Sequence, residues 1–268
     1  FLAKWPHLQH FTYGALLLFA LYVMPDGLSG MLRSAARRVM PGLFTPPQYV
    51  ENREPWHLRA DEVIAPDRPL LKADNLYKAY GGVIPTNRIS IDIKTGHIHS
   101  LIGPNGAGKT TLLNILSGVI APDSGSFEFN GRSLAGLPAN KICSLGLART
   151  FQNLKLFGNM SVLENVQVGL HSRLNSGLLS CLLGTPASRR EERLTTTEAL
   201  QILDFLGLRD KANELAGSLP YGLQRRLEIA RALASQPQFI LLDEPFAGID
   251  PIAVIEIQRI IAFLKQRG

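Results

Sequence analysis

The chain has 268 residues, 46% hydrophobic and 19% charged, which suits one core domain of about 200 residues plus an appendage. Two cysteines, Cys143 and Cys181, stand far apart with no metal-ligand spacing around them, which excludes a disulfide framework or zinc site and points to a reducing compartment. A net charge of +6 admits nucleic acid or an anionic membrane surface as partner. Arg33, Arg37 and Arg38 crowd behind the most apolar stretch, with Arg53, Arg59 and Arg68 beyond them, so the membrane surface is favoured. Asn159-Met160-Ser161 fits a glycosylation acceptor, but the pattern is short, common by chance and without meaning on a cytoplasmic face.

In chain order, Leu8 to Met24 is almost uncharged and Phe11 to Met24 nearly continuously apolar, a borderline length against the about 20 residues of a full span, or about 17 at the short end. Pro25-Asp26-Gly27 follows in place of a small-residue cleavage site, and the basic flank comes after the run, which argues against a signal peptide. The arginines put the C-terminal side in the cytoplasm. Residues 1–40 are therefore predicted as the end of a transmembrane helix and its juxtamembrane tail, with Leu28 to Met40 lying at the interface; a buried helix of a soluble domain is the other reading of so short a run. Residues 41–69 carry Pro41, Pro46, Pro47, Pro55, Pro66 and Pro69 and read as a semi-stiff linker. A globular pattern runs from Leu70 to residue 268.

Within that pattern, the alternation around Ile91 and Ile93 and the segment His97 to Ile102 predict two strands split by the turn Lys94-Thr95-Gly96. Leu112, Leu113, Leu116, Val119 and Ile120 recur at helical spacing before Pro122. Ser126 to Phe129 with Asn130-Gly131 predicts a hairpin. Ser161 with Glu164 three residues on makes a capping box opening a helix. Residues from there to Leu215 are helix-rich, with Leu200, Leu203 and Leu206 on one face and Gly207 as the stop. Phe239 to Leu242 reads as a buried parallel strand, and a further helix begins near Ile252. His171 and the charge run Arg189 to Arg193 read as a surface residue and a solvated helix face.

Gly103-Pro104-Asn105-Gly106-Ala107-Gly108-Lys109-Thr110 fits G-x-x-x-x-G-K-[ST] in full, between a predicted strand and helix as its mechanism requires. Glycines let backbone N–H groups converge on phosphate oxygens, and the helix N-terminus adds its positive end. Lys109 would meet the outer phosphates, Thr110 would offer a hydroxyl to Mg²⁺, and Thr111 belongs to the same first turn. The strand Phe239 to Leu242 delivers two carboxylates, Asp243 and Glu244, at its C-terminal end, where parallel sheets place ligands. Asp243 is expected to hold Mg²⁺ and Glu244 to act as general base on the attacking water.

Leu219-Pro220-Tyr221-Gly222-Leu223-Gln224-Arg225-Arg226, shortly before that strand, resembles the signature segment of the ABC family. Gln152 within Ala148 to Asn153 resembles its Q-loop, and Ala247-Gly248-Ile249-Asp250 its D-loop. The resemblance covers residues 70–268. It implies an α/β fold: a P-loop NTPase core of ABC type with an antiparallel β subdomain and a helical subdomain at about 153–218, preceded here by the transmembrane helix end. It also implies a head-to-tail dimer with each ATP held between one phosphate loop and the partner's signature segment, Leu219 to Gln224. By the same resemblance Tyr80 stacks on adenine, though a core or turn tyrosine is its plain alternative; Gln152 senses Mg²⁺ and the attacking water, and Asp250 links the two sites. The ARTFQN loop, the insert with Asn175 to Leu179 and Thr185-Pro186, and LQRRLEIARAL are similar to the branched-chain amino acid importer type, which implies import of branched-chain amino acids, with urea, short amides or other amino acids handled by related systems as alternatives. Met24 to Gly30 looks like the tail of that system's membrane subunit, so a fused permease and ATPase is expected.

Those expectations bring partners: a second ATP-binding domain, transmembrane permease subunits and a periplasmic or extracellular solute-binding protein, with the ATPase on the cytoplasmic side of the cell membrane and no nucleic acid bound. Two departures stand out. Pro220 replaces the usual signature serine and Leu223 the usual glutamine, which reads as a degenerate but working signature. The family's switch histidine follows a further strand, yet all six histidines precede Glu244; with Phe1 and Gly268 both resembling cut ends, the chain reads as a fragment. The rival readings are a soluble ABC ATPase acting on nucleic acid or the ribosome, where the positive charge would serve, and a nucleotide-binding subunit that does not hydrolyse.

Overall fold

The computed structural model describes Trp56, residues 68–173 and residues 185–266. The chain divides into two units, 1–48 and 49–268, and every described residue belongs to the second. The predicted transmembrane end lies outside the described residues, as does most of the predicted linker. Among the described residues no helix is long and apolar enough to cross a membrane.

Alternating burial along Ile89 to Lys94 reflects a strand with one face on the core, and the whole of β2 (Val83–Lys94) folds back antiparallel on β1 (Pro69–Tyr80). The predicted hairpin forms: β3 (Ser124–Phe129) and β4 (Arg132–Ser133) are joined by Asn130 and Gly131, both at positive φ (53° and 73°), as a tight two-residue turn requires. β3 pairs with β1, completing a four-stranded antiparallel sheet of order β2-β1-β3-β4. Its inner face, with Leu71, Leu76, Ile93, Phe127 and Phe129, packs in one core with Leu112, Ile115 and Leu116 of α1 (Lys109–Leu116) and Ile142 of α2 (Ala139–Ser144). The α1 helix stops earlier than its periodicity predicts, because Gly118 turns the chain at φ 70°; Val119 is left exposed.

A second core gathers the helices. The capping box forms as predicted: Ser161 N–H donates to Glu164 Oε2 (2.7 Å) and Glu164 N–H to Ser161 Oγ (3.1 Å), opening α3 (Val162–Leu170). Thr185 caps α4 (Pro186–Phe205), and Gly207 at φ 64° ends it. The buried stripe of α4 centres on Ala199, Ile202 and Leu203, continuing to Leu206, with Leu200 at its margin. Arg189, Arg190 and Arg193 are exposed, as the solvated-face reading expects. These helices pack on Leu227, Ala230 and Leu233 of α5 (Tyr221–Ala234) and Ile257 of α6 (Pro251–Gln266). Trp56, inside the predicted linker, is 5% exposed and its ring lies 5.5 Å from Phe205; burying the ring contributes about 2–3 kcal/mol, offset in part by its indole N–H, which is buried without a partner among the described residues.

Between the two cores runs a parallel pair, β5 (Leu147–Arg149) with β6 (Phe239–Leu241), in register Leu147 to Phe239 and Arg149 to Leu241. One predicted strand does not form. His97 to Ile102 joins no ladder among the described residues, and Ile102 is 90% exposed. The physical reason lies in its neighbours: an extended segment becomes a strand only when another lies alongside to share its N–H and C=O groups, and among the described residues neither β5 nor β6, each with one edge unpaired, forms a ladder with this segment. The segment instead borders an open groove of about 1070 Å³ whose walls include Ile91, Leu112, Leu233 and Ile260.

Candidate functional site

The loop ahead of α1 is built by its glycines. Gly106 and Gly108 sit at φ 82° and 85°, a region where other residues are strained. Gly108 is also the N-cap of α1, and a Cβ there would stand 1.8 Å from Pro85 O. The loop is therefore seated against the β1–β2 hairpin that carries Tyr80, a half-exposed ring at the end of β1. Gly103, Pro104, Asn105 and Ala107 complete the curve, closed by Ala107 N–H to Pro104 O (3.2 Å). Lys109 Nζ donates back across it to Gly103 O (2.7 Å) and Pro104 O (2.9 Å), which holds its charge over the mouth of the loop. Thr110 and Thr111 follow in the first turn of α1, with no acidic side chain there to oppose an anion.

The ends of β5 and β6 bring the other groups together. Asp243 is buried, and its Oδ2 accepts from Arg149 Nη2 at 3.0 Å, with both side chains 5% exposed. Arg149 Nη1 also donates to Asn114 Oδ1 (2.6 Å) and Ser117 Oγ (2.9 Å) of the α1 end. The guanidinium thus ties the helix behind the phosphate loop to the carboxylate after β6. Sequence reasoning did not single out Arg149; its pairing depends on the register of β5 on β6. Glu244, one residue on, takes φ 47°, a conformation that costs about 1–3 kcal/mol for a non-glycine residue and clusters at functional sites. Gln152 Nε2 donates to Glu244 Oε2 at 3.0 Å. Among the described residues no three His, Cys, Asp or Glu side chains converge as a self-contained metal site.

The remaining predicted residues lie at the start of α5 and α6. Leu219 is buried, Pro220 is the N-cap of α5 with no side-chain bond, and Gln224 Nε2 turns back to Leu219 O (2.9 Å). A Cβ on Gly222 would stand 3.0 Å from Ala253 Cβ and 3.4 Å from Asp250 Oδ2, so the signature and D-loop segments touch within one chain. Tyr221 is 43% exposed and Leu223 half-buried. Asp250 Oδ1 accepts from the N–H groups of Ile252 and Ala253 (3.0 Å each), capping α6, a structural duty the D-loop resemblance did not include.

A glycine-rich loop on a helix N-terminus, with a carboxylate pair and a glutamine across from it, is matched by family: residues 86–247, more than half of the chain, fit the model described as ABC transporter. The chain belongs to the ABC transporter ATPase family. The cassette is 44% identical over 198 residues to the high-affinity branched-chain amino acid transport ATP-binding protein LivG of Salmonella typhimurium, covering 74% of this chain and 78% of that protein. It is 40% identical over 200 residues to the lipopolysaccharide export system ATP-binding protein LptB of Acidithiobacillus ferridurans, covering 74% and 76%. Among solved structures it resembles an ATP-binding cassette of an ABC transporter in its ADP conformation, at TM-score 0.64, 31% identity and 75% and 78% coverage. It also resembles a dimeric cassette in a post-hydrolysis state bound to ADP and Pi, at TM-score 0.61, 27% identity and 73% and 83% coverage. The cassette is accordingly an enzyme that binds and hydrolyses ATP.

Proposed function

We propose that the cassette powers import of branched-chain amino acids across the cytoplasmic membrane, and that Glu244 and Gln152 are its catalytic pair. The observation carrying the chemistry is the 3.0 Å hydrogen bond between Gln152 and Glu244, made where β6 ends beside the phosphate loop. The substrate class rests on the likeness to the LivG proteins. Residues Gly103 to Thr111 bind the phosphates through backbone N–H groups, and Lys109 exchanges its two carbonyl partners for phosphate oxygens. Tyr80 receives the adenine. Glu244 takes the proton of a water held by Gln152 as the water oxygen attacks the γ-phosphorus. The bond to the β-γ bridging oxygen breaks, releasing ADP and phosphate.

Asp243, Thr110 and Gln152 are hard oxygen donors that suit Mg²⁺; they would hold it against the phosphates, where it would supply neutralisation of the developing negative charge. Asp243 stays oriented for this by Arg149. Leu219 to Gln224 would face the ATP of a second cassette, with Asp250 at the same junction. Pro220 and Leu223 remove a hydroxyl and an amide there, leaving Gly222 and the start of α5. The transmembrane tail at 1–40, the linker at 41–69, the permease subunits and the solute-binding protein belong to the same reading, which places the cassette on the cytoplasmic face.

ATP-dependent uptake of radiolabelled leucine, isoleucine and valine into vesicles containing the full-length protein and its partners tests it, with Glu244→Gln as control. Uptake that the control abolishes is the expected result. ATP turnover without uptake of any of the three removes the amino-acid assignment, and the 40% identity to LptB then favours lipid export. Uptake unaffected by Glu244→Gln removes the catalytic assignment.

A further inference from the structure

The loop that follows β5 is held along its length by side chains of other elements. Arg225 and Glu228, both 2% exposed, form an ion pair at 2.9 Å on the inner face of α5. Arg225 Nη1 donates to Phe151 O (2.6 Å) and Nη2 to Gln152 O, while Phe151 N–H donates to Glu228 Oε1 at 3.1 Å. One turn on, Arg231 Nη1 donates to Lys155 O (2.5 Å) and its guanidinium lies over the Phe157 ring. Spacings of three residues put all three charges on one stripe of α5. Burying an ion pair this completely is costly unless its hydrogen bonds are satisfied; here the loop backbone takes up both Nη groups of Arg225, while its Nε has no partner among the described residues. At the far end, buried Asn165 of α3 both donates to Phe157 O and accepts from Phe157 N–H. The side chain of Gln152, by contrast, reaches away from these helices to Glu244.

We propose that Arg225 and Glu228 are positioning residues for hydrolysis. They clamp the Phe151–Gln152 backbone to the signature helix, and so set where the Gln152 amide stands against Glu244. The inference rests on the reading of Gln152 given above and adds the elements that set its position. Its chemical content is geometric: the clamp fixes both the donor and the acceptor of Phe151 and the carbonyl of Gln152. The Gln152 side chain then has only its own torsions left to search.

The test uses the full-length protein in its transporter complex. Arg225→Met/Glu228→Leu removes both charges while filling the space, and Arg225→Lys is a milder variant that keeps the charge beside Glu228 but not the two-pronged bond to the Phe151 and Gln152 carbonyls. The double variant is expected to lower kcat about a hundredfold, the scale of a 1 Å misplacement, with the KM for ATP within about threefold of wild type. Hydrogen exchange at the Phe151 amide should accelerate. In a Gln152→Ala background the same pair of substitutions should change kcat by less than about twofold, since the group they position is gone. A kcat within about twofold of wild type for the double variant overturns the proposal, as do losses that multiply in the Gln152→Ala background, the mark of a merely structural role. If the double variant fails to fold, Arg225→Lys carries the comparison, with about a tenfold loss expected because one ammonium cannot bridge both carbonyls, and full activity overturning the clamp. Wild-type kcat for Gln152→Ala alone would instead bring down the reading of Gln152, with the clamp following it.

Discussion

Arg149→Met would remove a guanidinium that is 5% exposed and leave Asp243, equally buried, without its counter-charge. Breaking a buried pair from one side costs about 3–5 kcal/mol. The hydrogen bonds to Asn114 and Ser117 are worth about 0.5–1.5 kcal/mol each, but energies sharing one residue do not add, and about 4 kcal/mol is expected in total. With a urea m-value of about 2 kcal/mol/M, the unfolding midpoint falls by about 2 M, measured by far-UV circular dichroism on the full chain. The decisive comparison is the cycle with Asp243→Asn. Removing the negative charge as well should recover about 2 kcal/mol of the loss, because the stranded carboxylate is the costly species. A midpoint shift below about 0.5 M, or two substitutions whose costs simply add, would refute the view that this ion pair ties α1 to the β6 end.

Gly108→Ala should abolish ATP binding in a fluorescent-nucleotide titration, since a Cβ would strike Pro85 O at 1.8 Å and φ 85° is closed to it; the strain is about 1–3 kcal/mol before the clash. Ser161→Ala should cost about 1 kcal/mol in thermal unfolding, because it deprives the Glu164 N–H of its acceptor. The hydrogen bond from Lys78, helped by that from Ala79 N–H, holds the Asp123 carboxyl below its ordinary value. Its folded value being lowered, its contribution is present above the unfolded value and is lost as pH falls through the folded one. The Tm gap between wild type and Asp123→Asn should therefore be open at neutral pH and close in acid below the usual carboxylate range.

Short-range chemistry was legible in the sequence. The phosphate loop, the capping box at Ser161 and Glu164, the Asn130-Gly131 turn and the strand before Asp243 each depend on residues a few positions apart, whose backbone preferences act wherever the rest of the chain lies. Gln152, Asp243 and Glu244 were named individually as well, but not their contacts, and Arg149 and Glu228 were not singled out at all. Gln152 and Glu244 stand 92 residues apart, Arg149 and Asp243 94, and Phe151 and Glu228 77. No local preference links such positions; the parallel register of β5 on β6 and the packing of α5 against the following loop do. The same reasoning explains the miss at His97 to Ile102, where apolar residues of high strand propensity meet no neighbouring strand. Propensity is a property of the segment, whereas a strand is a property of the pair, and the second is decided by the tertiary fold.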